Sequence, residues 1–354
     1  MSQVDYLIVG QGIAGSFLSW YLAKAGKSAM VIDNNEPFSA SRVAAGIINP
    51  VTGRRVVQTW MINQLLPFAL EAYTSIGMDL GKGVITEKTM IDFFPTPQML
   101  LAYRERISEA ADFVSMGEDN TRFENDFHYD FGYGKIHPCY LIDLPSLLSL
   151  YRAKLRKDGL LLEEDFREDD LKDTGTGVNY LGIEAEKVIF CDGIGAARNK
   201  WFSSLPFAWN KGEALLVKCN DLDPGYLYKK GMIMAPTAAG YFWVGSSYEW
   251  NFEDPHPSAK FRDQTLAYLR QWVKKDCILE AHLASVRPAT VERRPFVGLH
   301  PANKRVGMLN GMGTKGCSLA PYFASQLAGH LTENTPILPE ANLQRYSRLL
   351  NRSR

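Results

Sequence analysis

Residues 4–15 read VDYLIVGQGIAG, in which an apolar run leads directly into the pattern G-x-G-x-x-G. Apolar side chains then recur at helical spacing until Gly26, and a second apolar run (28–32) ends at Asp33. A strand, a glycine-rich turn, a helix and a second strand ending in an acid form the order of a dinucleotide-binding βαβ unit. The sequence therefore predicts that a parallel α/β sheet begins here and binds a dinucleotide.

The glycines and the acid of this unit each have a physical role. Gly10 permits the tight turn, Gly12 lets backbone N–H groups approach a pyrophosphate, and Gly15 allows close packing of helix on strand. The helix N-terminus adds partial positive charge next to the phosphates. Asp33 is expected to accept hydrogen bonds from the hydroxyls of the adenosine ribose.

Length and charge narrow the class of protein. A chain of 354 residues exceeds one comfortable core, so two domains are expected. The numbers of basic and acidic residues are equal, 39 of each, which argues against a dedicated nucleic-acid binder. No stretch has the apolar length of a membrane span. We expect a globular protein with no nucleic-acid partner.

Cysteine and histidine patterns give expectations about compartment and metal. The chain has five cysteines, without a C-x-x-C pair, which favours reduced thiols over disulfides or zinc. A strand begins within four residues of Met1, leaving no room for a signal peptide. The six histidines form no metal-ligand pattern. A cytoplasmic protein without a metal site is therefore expected. The cysteines are Cys139, Cys191, Cys219, Cys277 and Cys317.

A second glycine-rich turn lies near the end of the chain. Residues 305–309 read as a strand, GMGTKG follows at 311–316, and helical spacing resumes from Leu319. A nicotinamide enzyme needs one phosphate-binding turn, whereas a second one suits a longer cofactor. In a flavin enzyme, a helix N-terminus here would stabilise the negative charge that hydride transfer leaves on the ring. A simple glycine-rich connection is the alternative.

Four segments together resemble one family. They are the N-terminal unit, SASRVAAG (39–46), VIFCDG (188–193), and VRPAT (286–290), which continues through RPFVG (294–298) to the second glycine turn. The chain resembles the D-amino acid oxidase-like FAD-dependent oxidoreductases, including glycine oxidase and sarcosine oxidase. This resemblance implies FAD, bound non-covalently, because the cysteine of members with covalent flavin has no counterpart near Arg287.

The resemblance also implies a fold and a domain division. The fold class is α/β, with a Rossmann-type FAD-binding domain and an interleaved, largely antiparallel β-sheet substrate domain. The FAD-binding domain would comprise residues 1–80, 145–205 and 284–354. The substrate domain would comprise residues 81–144 and 206–283.

The family's cofactor contacts carry over to matching positions of this sequence. Two positions depart from the family pattern: Asp33 stands where Glu is common, and Met312 where His is common. The implied FAD-binding residues are Gly10, Gly12, Ile13, Ala14, Gly15, Asp33, Asn34, Ser41, Arg42, Ala45, Gly46, Phe166, Cys191, Asp192, Gly193, Gly311, Gly313, Thr314, Lys315 and Gly316.

Two basic residues are candidates for substrate binding. An amino-acid substrate needs a cation for its carboxylate, and Arg287 matches the arginine with this role in glycine oxidase-like members. A salt bridge between strand and loop is the alternative for this residue. Lys315 matches the carboxylate-binding lysine of sarcosine oxidase-like members, whereas glycine oxidase-like members use an arginine at the position of Thr314.

Other positions match the family less securely. Arg54 and Arg55 fall in a region that supplies a further carboxylate-binding arginine in some relatives. Met232 falls near the position of a tyrosine that covers the substrate in others. Tyr241 or Tyr248 could take its place, although aromatic residues on strands usually pack in a core.

The resemblance implies an FAD-dependent amine or amino acid oxidase or dehydrogenase. It would oxidise the C–N bond of a small amino acid or secondary amine by hydride transfer to flavin N5, giving an imine. Oxidation of an amino-acid side chain on a tRNA wobble base is one alternative, and a non-catalytic flavin-binding protein is another. The oligomeric state and the electron acceptor stay open.

Overall fold

The computed structural model describes residues 2–53, 56–107, 109 and 112–351. Arg54 and Arg55 lie outside these residues. The strands are β1 (Ser2–Val9), β2 (Ala29–Ile32), β3 (Ile47–Ile48), β4 (Val51–Thr52), β5 (Val57–Gln58), β6 (Ile85–Phe93), β7 (Val114–Met116), β8 (Tyr133–Ile142), β9 (Leu161–Leu162), β10 (Leu171–Asp173), β11 (Val178–Tyr180), β12 (Ile183–Phe190), β13 (Phe207–Cys219), β14 (Tyr226–Lys230), β15 (Met232–Pro236), β16 (Phe242–Gly245), β17 (Cys277–Thr290), β18 (Phe296–Leu299) and β19 (Val306–Asn310).

The helices connect and cover these strands. The α-helices are α1 (Ile13–Lys24), α2 (Ala40–Val43), α3 (Ile62–Asp79), α4 (Pro97–Ile107), α5 (Leu144–Lys157), α6 (Ala259–Trp272), α7 (Gly316–Glu333) and α8 (Ser347–Leu350). Short 3-10 turns lie at Glu168–Asp170, Gly193–Ala197, Gly313–Lys315 and Leu343–Tyr346. None of the helices within the described ranges is long and apolar enough to cross a membrane.

The first sheet is built on parallel strands. It has eight strands in the order β10-β11-β12-β1-β2-β9, with β19 on β12 and β18 on β19. Strand β2 is buried along its whole length, as expected for a parallel strand covered on both faces. Val9 pairs with both Ile32 and Phe190, so these three strands end at the same level. The residues that follow them therefore meet at one edge of the sheet.

The second sheet is mostly antiparallel. It has nine strands in the order β17-β13-β16-β15-β14-β6-β8-β3, with β7 on β8 and one parallel pair, β14 and β6. The α/β fold class with an interleaved antiparallel sheet is confirmed. Strand β17 runs without interruption through residue 284, where the sequence predicts a domain boundary. The domain division itself stays a prediction.

One expectation about the cysteines is wrong. Cys219 and Cys277 form a disulfide between the ends of β13 and β17. They are 58 residues apart in sequence, but the antiparallel register places them opposite each other, with their Cα atoms 4.3 Å apart. Cys139, Cys191 and Cys317 are free and buried. The cysteine pattern therefore carries no conclusion about compartment.

The helical layer on the first sheet brings the two ends of the chain together. Helix α1 packs along α7, and both bury apolar side chains such as Phe17 and Phe323 in one core. Tyr73 on α3 donates a hydrogen bond to the carbonyl oxygen of Cys317 at 2.9 Å. The N-terminal and C-terminal glycine turns are thus parts of one compact region.

Candidate active site

The turn after β1 brings the backbone of helix α1 close to the backbone at the end of β1. Gly10 has φ +99°, and a Cβ added at Gly15 would lie 1.9 Å from the carbonyl oxygen of Gly10. Helix α1 starts with Gly12 at its N-cap, no side-chain cap and no acid in the first turn. The N–H of Ile13 donates to Ser41 Oγ at 3.0 Å. The next two N–H groups, of Ala14 and Gly15, precede the first i to i−4 bond, which Ser16 donates to the Gly12 carbonyl at 2.9 Å, and such groups at a helix N-terminus can donate to the phosphates of a ligand.

A second helix begins beside the first. The backbone reaches α7 through Gly311 and Gly313, which have φ values of +80° and +54°. The first turn of α7 also has no acid and no side-chain cap. A Cβ at Gly316 would lie 3.7 Å from the side chain of Ile13, so the two helix N-termini are neighbours. Together they supply partial positive charge at two points of one region.

Asp33 is held in place by several donors. Its Oδ2 accepts from the N–H of Gln11 at 2.7 Å, and its Oδ1 accepts from the N–H of Asn35 at 2.8 Å. Arg152 Nη1 also donates to Oδ1 at 2.6 Å, and Arg152 Nη2 donates to the Asp33 carbonyl at 3.0 Å. Arg152 Nη2 further donates to Glu163 at 2.9 Å. Asp33, the acid predicted to bind the ribose, is therefore part of a fixed ionic network.

Arg152 was not predicted from the sequence, although a signal for it exists. It is buried on α5, between Leu148 and Leu155 on the same helix face. A charged residue at an apolar position of an amphipathic helix needs a buried partner. The sequence does not identify that partner, because Asp33 is 119 residues away.

The residues implied for the adenosine side lie around the ends of β2 and β12. Asn34 Nδ2 donates to Asp165 at 2.6 Å, which brings neighbouring Phe166 to this edge. The ring of Phe166 stacks on Tyr180, with centroids 5.0 Å apart. Burial raises the pKa of Asp192 to about 7.

Strand β19 connects to the same edge. Asn310 Nδ2 donates to Asp192 at 3.2 Å and to the carbonyl of Gly193 at 2.9 Å. The thiol of Cys191 is buried, and its N–H donates to the carbonyl of Val9 at 2.8 Å.

The segment after β2 closes the site between the two sheets. Ser41 and Arg42 lie on α2, and Arg42 Nη2 is 3.8 Å from Asp33 Oδ1. Ala45 and Gly46 then lead into β3. Gly46 has φ +77°, and a Cβ there would lie 2.1 Å from the carbonyl oxygen of Ile142. A glycine is therefore required where this segment meets the second sheet.

Arg287 projects from β17 across the neighbouring strand. A Cβ at Gly212 on β13 would lie 1.7 Å from Arg287 Nη2, so the guanidinium lies directly over this glycine. Its Nη1 donates to Asn210 Oδ1 at 2.6 Å and to the Ser247 carbonyl at 3.1 Å. The ring of Tyr248 lies 4.8 Å from the guanidinium carbon.

The remaining donors of Arg287 are open. Within the described ranges, Nε and Nη2 make no hydrogen bond and no carboxylate pairs with the guanidinium, so the salt-bridge alternative finds no support there. Burial lowers the pKa of Arg287, but a guanidinium stays protonated. Two adjacent N–H donors of a held guanidinium match the two oxygens of a carboxylate.

Lys315 is a second cation without a counter-ion. It ends the 3-10 turn before α7, and no acidic side chain pairs with it among the residues the structure covers. Burial lowers the pKa of its ammonium to about 8, and the thiols of Cys139 and Cys317 are its electrostatic neighbours. Thr314, one position earlier, is exposed. Lys315 is half-buried, and a partly desolvated charge with no acidic partner favours binding of an anionic ligand.

The turn that carries Lys315 touches the strand that carries Arg287. A Cβ at Gly313 would lie 3.3 Å from the Cβ of Ala289, two residues beyond Arg287. Among the residues considered for covering the substrate, Tyr248 lies on Arg287. Met232, at the position of the family's tyrosine, packs instead against the separate cluster that contains Trp272. The structure thus brings both predicted cations to the contact between the two sheets.

FAD fits the two glycine-rich turns, the two helix N-termini without side-chain caps and the hydrogen-bonded Asp33. Together with the two-sheet fold, these features define an FAD-binding oxidoreductase. The chain belongs to the FAD dependent oxidoreductase family, whose profile matches residues 5–329. It is therefore an enzyme with FAD as its cofactor, and the non-catalytic alternative is not retained.

Known proteins of similar sequence and structure include oxidases of glycine and of iminodiacetate. The glycine oxidase of Pseudomonas aeruginosa is 22% identical over an alignment of 360 residues, covering 95% of this chain and 96% of the relative. The glycine oxidase structure from Geobacillus kaustophilus matches with a TM-score of 0.78 at 20% identity, covering 98% of each chain. Iminodiacetate oxidase from a Chelativorans species matches with a TM-score of 0.76 at 20% identity, covering 97% of this chain and 98% of the other.

Proposed function

We propose that this enzyme oxidises the C–N bond of a small amino acid or secondary amine that carries a carboxylate. The observation that supports this most directly is the open side of Arg287, which has two free donors and no acidic partner among the described side chains. The names of the similar proteins, glycine oxidase and iminodiacetate oxidase, agree with a substrate of this class.

Arg287 would bind the substrate carboxylate through Nε and Nη2. Asn210 and Ser247 hold its Nη1, so little side-chain entropy is lost on binding. Lys315 adds a second positive charge from the opposite turn. These contacts orient the carbon next to the amine.

FAD, when bound, would supply the hydride acceptor at N5; loss of hydride from the carbon of a neutral amine would give an iminium ion, which becomes the imine on loss of a proton. A dedicated general base is not required for this step. The chain's own contribution is positioning, together with exclusion of water by the sheet face around Gly212. We expect the FAD to be non-covalent, so acid precipitation of the protein should release it.

The test is anaerobic bleaching of the bound flavin by glycine, N-methylglycine, proline, iminodiacetate and D-amino acids. Substitution Arg287→Gln should raise the substrate Kd by about 10- to 100-fold, since a charge-assisted bidentate contact contributes about 1.5–3 kcal/mol. Arg270→Gln on α6 changes an exposed arginine and is the matched control. Equal affinity in the Arg287 variant would refute the carboxylate site.

The tRNA-base alternative makes a different prediction in the same assay. Flavin bleaching by tRNA bearing an amino-acid side chain on its wobble base, and by none of the free amines, would replace the small-molecule proposal. The equal numbers of basic and acidic residues, 39 of each, do not favour this outcome.

A further inference from the structure

The segment that follows β16 lies beside the carboxylate site. Glu249 pairs with Lys211 of β13 through two backbone hydrogen bonds, of 2.9 and 3.0 Å. Asn210 Nδ2 donates to the Glu249 carbonyl at 3.2 Å, while its Oδ1 accepts from Arg287. One buried amide therefore connects the guanidinium to this segment.

The segment exposes large aromatic side chains next to Arg287. Tyr248 is 60% exposed, although its ring lies on the guanidinium, and Trp250 is 55% exposed. In an extended chain, the Cα atoms of residues two positions apart are separated by about 7 Å, so the Cα of Trp250 lies about that far from the Cα of Tyr248. Neighbouring exposed aromatic residues of this size mark a binding surface more often than a solvated loop.

A cleft of about 650 Å³ opens between this segment and β13. Its lining residues are Ala208, Trp209, Trp250, Asn251, Phe252 and Glu253. Ala208 pairs with Ala289, the residue that meets Gly313 of the second glycine turn. Trp209 is the chain neighbour of Asn210, which accepts a hydrogen bond from Arg287, so the cleft lies beside the strand position that holds the guanidinium. Its volume is within the range of small-molecule sites.

We infer that this cleft is a substrate subsite for an aromatic or large apolar group. The aromatic subsite is defined as Trp209, Trp250 and Phe252 of the cleft together with Tyr248, which lies on Arg287. Trp209 stacks on Phe207, and the exposed rings of Tyr248 and Trp250 offer aromatic contact while Arg287 holds the carboxylate. Glu253 at the rim disfavours a second carboxylate on the same molecule. This inference rests on the proposed function and narrows it to aryl- or alkyl-substituted amino monocarboxylates.

The first test measures binding without turnover. Calorimetric titration of the FAD-loaded enzyme compares acetate, which is too short to reach the aromatic subsite, with phenylacetate, which reaches it. Phenylacetate should bind about tenfold more tightly, because its ring is removed from water against the aromatic side chains. Trp250→Ala should remove this difference and leave acetate affinity unchanged.

A matched control uses another exposed apolar residue. Leu101→Ala on α4 removes a side chain that is 57% exposed and lies outside the cleft, so both affinities should stay unchanged. Because Trp250 is itself largely exposed, its substitution should leave the melting temperature of the enzyme unchanged.

The second test uses turnover. In Trp250→Ala, kcat/KM for N-benzylglycine and phenylalanine should fall about tenfold, while that for glycine and N-methylglycine stays within about twofold of wild type. Oxidation of the small amines together with equal binding of acetate and phenylacetate would overturn the subsite and leave the proposed function intact. Absence of carboxylate binding and of bleaching by any amine would overturn both.

One further outcome would reassign the aromatic residues. If Trp250→Ala changes the oligomeric state in sedimentation analysis and leaves phenylacetate affinity unchanged, the segment is a contact between copies of this chain, and the subsite is refuted.

Discussion

Lys315 shows how a single half-buried position connects stability to ligand binding. Its ammonium is partly withdrawn from water without an acidic partner among the described residues, and this desolvation lowers its pKa from 10.5 to about 8. Between these values the unfolded chain binds more protons than the folded one. The free energy of unfolding therefore rises with pH across this window.

Substitution Lys315→Met should remove two pH effects. The rise in unfolding free energy above about pH 8 should disappear, as measured by denaturant titration. Acetate affinity, which in the wild type should weaken about fivefold from about pH 7 to about pH 9 as the ammonium loses its proton, should become independent of pH. Lys172→Met, at an exposed lysine, is the control. An unchanged pH profile in the Lys315 variant would assign the titration to another group.

The sequence predicts that Gly15 allows close packing of helix on strand, and the structure gives a geometric reason for it. The Cβ of Gly15→Ala would lie 1.9 Å from the Gly10 carbonyl, so α1 must move away from β1. FAD affinity should fall more than about tenfold, measured by fluorescence of released flavin. Gly83→Ala is the matched control, because no atom lies within 4 Å of its added Cβ. Normal FAD content in the Gly15 variant would contradict this packing.

At the scale of elements, α5 supports the cofactor site at the end of β2. Arg152 contacts Asp33 through both its carboxylate and its carbonyl, so the helix and the strand end share one ionic network. The arginine does not need to touch the ribose to influence FAD affinity. We expect it to act by fixing the orientation of Asp33.

A double-mutant cycle tests this coupling. Arg152→Met should weaken FAD binding about tenfold in the wild type, and less than about threefold in the Asp33→Asn background, since both substitutions disrupt one interaction. The measurement is FAD titration of the apoprotein. Additive losses would show that Arg152 acts independently of Asp33.

Glu213 anchors a second pair of elements. Its carboxylate accepts hydrogen bonds from the Ser258 N–H at 2.6 Å and from Ser258 Oγ at 2.7 Å, at the start of α6. Its own N–H donates to Ser247 Oγ at 2.9 Å. One buried residue therefore holds both ends of residues 247–258, which include Tyr248 and Trp250.

Glu213→Gln should loosen this segment and destabilise the protein. Lys211, whose Nζ lies 3.5 Å from the carboxylate, would lose its counter-ion. The unfolding free energy should fall by about 3 kcal/mol, and hydrogen exchange should accelerate in residues 247–258. Glu280→Gln, at an exposed acid of β17, should change neither. Unaltered exchange in the Glu213 variant would argue against the anchor.

At the scale of the whole molecule, the long strand pair β13 and β17 carries Asn210 and Arg287 near one end and the disulfide at the other. Denatured protein should show three reactive thiols before reduction and five after reduction. The double variant Cys219→Ser, Cys277→Ser should lose about 2–4 kcal/mol of unfolding free energy and keep its FAD content. Five thiols before reduction would exclude the disulfide.

The cofactor half could be predicted because its signal is local. The residues from Val4 to Asp33 contain the strand, the turn, the helix and the acid in order, and each element follows from composition and spacing over a few residues. The second glycine turn at 311–316 is equally local. The fold class and FAD therefore follow from short stretches of sequence.

The sequence by itself determined the cofactor and predicted Arg287 as the residue that binds the substrate, which stays a proposal. Only the tertiary structure decided what surrounds these residues: Asn210 lies 77 residues from Arg287, Asp33 lies 119 from Arg152, and the two disulfide cysteines are 58 apart. The physical reason is that strand register over long separations depends on packing of whole faces, which local periodicity does not encode.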